Sequence, residues 1–211
     1  MTVDHSRRLS PWRDIWVHPR STLRAVAAEG PNHRALIVSA GWGVVQSMVQ
    51  GAQNNMGLRA PLLLIVLTAI VIGSVWGLLQ VSLLSGLVYL VGRWTGLSAT
   101  YYGVRTALAW GTIPAGASLP LWLGAAVLFG RRLFLSDQAL AGSGQPLILL
   151  GIGLLYLVTG CLWLWSVVVV TVGLAEVQGV SVPRAIGLII GSAAVFAVTV
   201  MLVVGFVIVA L

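Results

Sequence analysis

The stretch "PLLLIVLTAIVIGSVWGLLQVSLLSGLVYLVG", Pro61 to Gly92, holds no charged residue and no histidine. A membrane-spanning helix needs about 20 predominantly apolar residues. At about 1.5 Å of rise per residue this run is longer than the hydrocarbon core is thick. It therefore reads as one helix that tilts or extends beyond the bilayer.

Working outward, four more runs have the same character: Ala35 to Gln53, Thr106 to Phe129, Leu147 to Leu174 and Ile186 to Leu211. The whole chain of 211 residues is 58% hydrophobic, with a mean hydropathy of +0.99 and only 8% charged residues. Soluble domains carry roughly 25% charged residues, so a soluble fold is excluded. The expectation is an all-α, polytopic helix bundle. It has five transmembrane helices over residues 35–211 and a short interfacial tail over residues 1–34. The first sixteen residues contain no uninterrupted apolar stretch followed by a small-residue cleavage site, so no cleavable signal peptide is expected.

The net charge is +7 and all 12 basic residues are arginine. They are scattered among apolar runs, singly or in adjacent pairs, and form no stripe or cluster, which argues against nucleic acid and for anionic lipid headgroups. Arg7, Arg8, Arg13, Arg20, Arg24 and Arg34 lie in the tail, and Arg93, Arg105 and Arg184 flank loops on the same side. Arg59, Arg131 and Arg132 fall on the other side. The positive-inside rule then puts the N-terminus in the cytoplasm and the C-terminus outside. The expected location is an inner membrane.

Small residues permit close helix approach in lipid, where no hydrophobic force drives association. Gly73 and Gly77 form one G-x-x-x-G pair and Gly187 and Gly191 another, while Gly43, Ser47 and Gly51 form a longer stripe. These patterns predict a packed bundle and allow a homodimer or contact with another membrane protein. Gln46 and Gln50 lie four apart in the first span, and Gln80 lies within the second. Such amides should face the bundle or a wet cavity. They serve either as interhelical glue or as a polar groove. Pro114 and Pro120 interrupt the third run and should kink it, because each lacks an amide donor and clashes with the turn before it. The kink is either static or a hinge.

Catalytic and metal signals are missing. No Asp or Glu lies inside a span: Glu176 is near the end of the fourth, and Asp4, Asp14, Glu29 and Asp137 are outside. His5, His18 and His33 are all in the tail at irregular spacing. No catalytic set, metal site or cofactor is expected. The lone Cys161 reads as a small buried apolar residue, and "AGSGQ", Ala141 to Gln145, as a loop.

The tail has two helix starts. Ser10-Pro11 and His18-Pro19 each place proline in a first turn, and Pro19 disfavours helix at His18. Trp12, Ile15 and Trp16 share one face. Leu23, Val26 and Ala27 form another, opposite Arg20 and Arg24, and Gly30-Pro31 ends the second piece. Tryptophan and arginine suit the headgroup layer, so Trp12, Trp16, Arg20 and Arg24 are the candidate contacts to lipid headgroups or a partner.

Three segments resemble the bacterial form of the Yip-one domain (Ypt-interacting protein) family. "HPRSTLRAV", His18 to Val26, resembles the Pro-Arg-x-Thr segment before the first span. "YLVGRWTGLSATYYGVRTALAWGTIP", Tyr89 to Pro114, resembles the second loop and third span. "LAEVQGVSVPRAI", Leu174 to Ile186, resembles the loop before the fifth span. Five spans with a cytoplasmic N-terminus match the family topology. The Asp-Leu-Tyr-Gly-Pro motif of eukaryotic members is not found, and their Gly-Tyr-x-x-x-Pro has only a loose echo in "AWGTIP", so GTPase binding and vesicle traffic do not carry over. The resemblance implies a non-enzymatic protein that organises membrane or scaffolds a partner complex. The polar residues suggest an alternative, a lipid scramblase or small-solute transporter using a groove between helices.

Overall fold

The computed structural model describes residues 10–30, 33–135 and 146–210. The expected loop at Ala141 to Gln145, Pro31 and the tail before Ser10 lie outside these residues. The chain is 87% helical and has no strand among the described residues. Two short helices come first, α1 (Pro11–Asp14) and α2 (Pro19–Ala28), then α3 (His33–Gln53), α4 (Met56–Arg59) and α5 (Leu62–Trp94). They are followed by α6 (Tyr101–Gly111), α7 (Ile113–Gly116) and α8 (Leu119–Phe129), a 3₁₀ turn (Gly130–Phe134), α9 (Pro146–Gln178) and α10 (Val182–Ala210). Five segments are long and apolar enough to cross a membrane: α3, α5, the stretch Tyr101–Phe134, α9 and α10. This is a multi-pass membrane architecture.

Several boundaries shift from the sequence expectation, each for a local reason. The third span starts at Tyr101 and not Thr106, because the Thr100 hydroxyl caps it, accepting from the Gly103 amide at 3.1 Å. That stretch is also more than kinked. It breaks at Thr112 and again at Ala117-Ser118, and each proline occupies the first turn of the helix that restarts, Pro114 in α7 and Pro120 in α8. The fourth helix runs on to Gln178. There Gly179, at φ +65°, closes a Schellman turn, with its amide on Glu176 and the Val180 amide on the Ala175 carbonyl. The fifth begins at Val182, where Pro183 sits in the first turn and the Ala185 amide reaches the Ser181 carbonyl. The apolar count alone places the start at Ile186, because Arg184 interrupts the run. Cys161, expected buried, is exposed. On an apolar helix facing lipid, a thiol gains little by being covered.

The described residues divide into two compact units: 10–30, 82–108 and 170–210 in one, 33–81 and 109–169 in the other. The second unit is built on a backbone-to-backbone crossing of α3 and α5. A Cβ placed on Gly43 would lie 2.6 Å from the Gly77 Cα and would overlap the Gly73 carbonyl. One on Gly77 would lie 2.8 Å from the Gly43 Cα and overlap the Ser39 carbonyl. The two small-residue stripes of the sequence are thus halves of one contact, and only glycine permits it. Gly187, in the other G-x-x-x-G, has nothing within 4 Å of such a Cβ, so that pair makes no close crossing. Below the α3–α5 crossing lies a core of Val45, Met48, Trp122, Leu133 and Phe134, all essentially inaccessible. Arg131 closes this unit, donating from Nε and Nη2 to the Gly57 carbonyl at 2.9 and 2.6 Å.

Candidate functional sites

The first site lies in the unit that holds the tail. Helix α2 is folded against its own chain. Leu23 and Val26 are fully buried, and Leu23 occupies the space that a side chain at Gly173 would need. Ile15, on the turn after α1, is also fully buried, whereas Trp12 is exposed and Trp16 half-buried. The expected shared face of Trp12, Ile15 and Trp16 is therefore split: the isoleucine packs inward and Trp12 faces outward. His18 precedes α2, and its carbonyl accepts from the hydroxyls of Ser21 (3.1 Å) and Thr22 (2.9 Å).

Arg24, a candidate contact to headgroups or a partner, donates from Nε to Glu176 Oε1 at 2.7 Å, and its Nη2 forms an ion pair with the same oxygen. The Arg24 side chain remains 73% exposed. Solvent screening limits such a pair to about 0–1 kcal/mol, so it orients the tail more than it stabilises the fold. Arg20 is exposed on the same helix. A pocket of about 320 Å³ opens beside this pair, lined by Arg24 and Ala27, by Ser98, Thr100 and Gly103, and by Glu176. The wall at residues 98–103 is shaped by a second Schellman turn at Gly96, φ +81°. An aromatic cluster stands on the same segment: Tyr101 packs edge-on to Tyr89 and Tyr102 and donates its hydroxyl to the Ser82 carbonyl at 3.3 Å.

The second site lies in the other unit, between α3 and α9. Trp42, Gln46, Gln50 and Gln53 are spaced four, four and three along α3, which puts them on one helical face. Tyr156, Thr159, Gly160 and Trp163 are spaced three, one and three along α9, which also puts them on one face. The two faces enclose a cleft of about 340 Å³. Gln46 and Gln50 both line this cleft. Gln80, grouped with them from sequence, is not among the lining residues, since α5 meets α3 through the glycine face instead. Gln53, just beyond Gln50 in the same run of amides, joins Gln46 and Gln50 on the α3 wall, whereas nothing in the sequence reading singles out the α9 wall. Its signal is Tyr156, Thr159 and Trp163 at i, i+3 and i+7, with the small Gly160 at i+4, in a largely aliphatic run.

The α9 wall is braced from behind. Trp122, with no accessible surface, donates its indole N–H to Thr159 Oγ1 at 3.1 Å. Its ring stacks edge-on to Tyr156, with centroids 5.5 Å apart. Ser166 reinforces the same region by accepting the Ala115 amide at 2.8 Å. Across the cleft, Gln46 Oε1 is buried without a hydrogen-bond partner. Among the described residues no three His, Cys, Asp or Glu side chains come together to hold a metal ion.

No protein-family model matches the chain, and neither a curated protein nor a solved structure matches it.

Proposed function

We propose that this is a non-enzymatic protein of an inner membrane, related to the bacterial Yip-one domain family, that organises membrane or scaffolds a partner complex from its cytoplasmic face. One observation carries the reading. The three segments of the resemblance, distant in sequence, converge on one pocket: Arg24 from the first, Ser98 to Gly103 from the second, Glu176 and Val177 from the third. The tail is not a loose anchor; it completes a surface with the following loops. Trp12 and Arg20 remain exposed on it, a surface that anionic lipid headgroups, another membrane protein or a second copy of the chain can reach. The cytoplasmic orientation is supported by the arginine asymmetry, since Arg13, Arg93 and Arg184 are also exposed in this unit.

Deleting the tail would be a poor test, because removing Ile15, Leu23 and Val26 uncovers apolar surface. The surface pair Trp12→Ala with Arg20→Glu leaves those contacts intact. In affinity purification from native membrane in a gentle detergent, with mass spectrometry of protein and lipid, this variant is expected to lose the co-purifying partner or anionic lipid while keeping the wild-type unfolding temperature. Unchanged recovery would remove the reading.

The cleft favours a second reading, a lipid scramblase or small-solute transporter. Reconstituted vesicles should then flip labelled lipid, more slowly with Gln46→Leu and Gln50→Leu together; activity no higher than in empty vesicles would eliminate it. Eleven residue steps separate Trp42 from Gln53 on α3, a rise of about 16 Å. That is about half of a hydrocarbon core of about 30 Å. A groove of that length admits a headgroup but does not by itself cross the bilayer.

A further inference from the structure

We propose that the cleft between α3 and α9 binds a neutral, hydroxyl-rich group, a glycosyl or glycerol moiety, and that Gln46 is its principal acceptor. The inference is independent of whether anything crosses the membrane. It also does not rest on the tail pocket.

Gln46 Oε1 is buried and has no hydrogen-bond partner. A buried carbonyl oxygen without a donor costs about 1–3 kcal/mol, and such groups in folded proteins call for an explanation. The Gln46 side chain that carries it forms part of the wall of a cleft large enough for a ligand; pockets for small molecules start at about 300 Å³. A ligand that satisfies this oxygen brings a hydrogen-bond donor.

Charge narrows the class. None of the residues lining the cleft is charged. A phosphate or carboxylate held there would lose its hydration with no counter-charge to replace it, and a primary ammonium would have no carboxylate to meet. A quaternary ammonium suits aromatic walls, but it has no N–H or O–H to give to Gln46. A neutral hydroxyl meets each requirement, because it both donates and accepts, as the amides of Gln50 and Gln53 also do. Thr159 fits the same logic. Its oxygen already accepts from Trp122, which leaves its O–H to donate into the cleft. Trp42, Tyr156 and Trp163 supply amphipathic rings against which the C–H face of a polyol can lie. Because Trp122 fixes both Thr159 and Tyr156, that wall is held in place before a ligand arrives.

Such a group has two sources, a glycolipid headgroup entering from the bilayer or a free sugar entering from water at the Gln53 end. The test uses the full chain in lipid nanodiscs prepared without glycosidic detergent. Bound lipid is read by native mass spectrometry after titration with monoglucosyl diacylglycerol, phosphatidylcholine or phosphatidylethanolamine. A parallel arm titrates methyl glucoside and follows tryptophan fluorescence. The expected result is preferential retention of the glucosyl lipid; saturable binding of the methyl glucoside alone would identify the free sugar as the source. Gln46→Leu should weaken binding about tenfold, the change that about 1.4 kcal/mol represents, and Thr159→Val should weaken it as well. Gln46→Leu should not lower the unfolding temperature, since it replaces an unpaired buried acceptor with an apolar group. A merely structural glutamine would show the opposite pattern, lower stability with unchanged ligand binding. Equal retention of all three lipids with no response to the glucoside, a preference for phosphatidylethanolamine, or full binding by Gln46→Leu would each overturn the proposal.

Discussion

Gly77→Val is expected to abolish the folded second unit. The α3–α5 crossing brings backbone against backbone: a Cβ at Gly77 meets the Ser39 carbonyl and the Gly43 Cα and amide, none of which belongs to a side chain that could rotate away. Overpacking a well-filled core costs about 1–3 kcal/mol when neighbours can yield. Here the helices must separate, which also opens the contacts made by Gly73 with Val44 and Ser47. In lipid those van der Waals contacts are the main attraction between the two helices. The effect should therefore exceed the usual range for overpacking. The measurement is the fraction of monodisperse protein after purification together with its unfolding curve in a denaturing detergent. Gly187→Val is the control, because a Cβ there meets open space, and it should behave as wild type. If Gly77→Val unfolds at the wild-type midpoint, the crossing is wrong.

Trp122→Ala is expected to produce the second largest loss. Removing a fully buried tryptophan costs about 3–5 kcal/mol in a soluble core. Part of that is transfer from water, which is small inside a bilayer, so about 3 kcal/mol is the appropriate expectation. The remainder reflects lost dispersion contacts with the surrounding core and the cavity left behind. Two effects can be separated by a conservative change. Trp122→Phe keeps most of the ring but removes the N–H, so it should cost little stability while freeing the Thr159 hydroxyl and loosening the cleft wall. Trp76→Ala, at a half-exposed tryptophan of the same unit, should be near neutral. A Trp122→Ala protein as stable as Trp76→Ala would contradict the packing described.

The spans were legible in the sequence because bilayer thickness imposes a minimum apolar length, and Pro61 to Gly92 satisfied it with no charged residue at all. Their ends were less legible, since caps decide them and not hydropathy: Thr100 starts α6 and Gly179 stops α9. Gly43, Gly73 and Gly77 announced a close approach, yet nothing local says which stripe meets which, and Gly187 with Gly191 carries the same pattern without making a crossing. The cleft was half legible. The four-residue spacing of Gln46 and Gln50 pointed to one face of α3, but the facing wall on α9 depends on how two helices about a hundred residues apart dock. Arg24 with Glu176 is a pairing across 152 positions. No sequence periodicity encodes it.

The most direct test of the account concerns its surface of tail and loops. In a background with Cys161→Ser, single cysteines at Ser21, Ser98, Ser181 and Asn54, all exposed positions, are treated with a membrane-impermeant maleimide before and after permeabilisation. Five spans with a cytoplasmic tail require Ser21→Cys, Ser98→Cys and Ser181→Cys to label only after permeabilisation, and Asn54→Cys to label in intact cells. Labelling of Ser98→Cys or Ser181→Cys from outside, with Ser21→Cys protected, would put the three segments on different sides of the membrane and contradict the account.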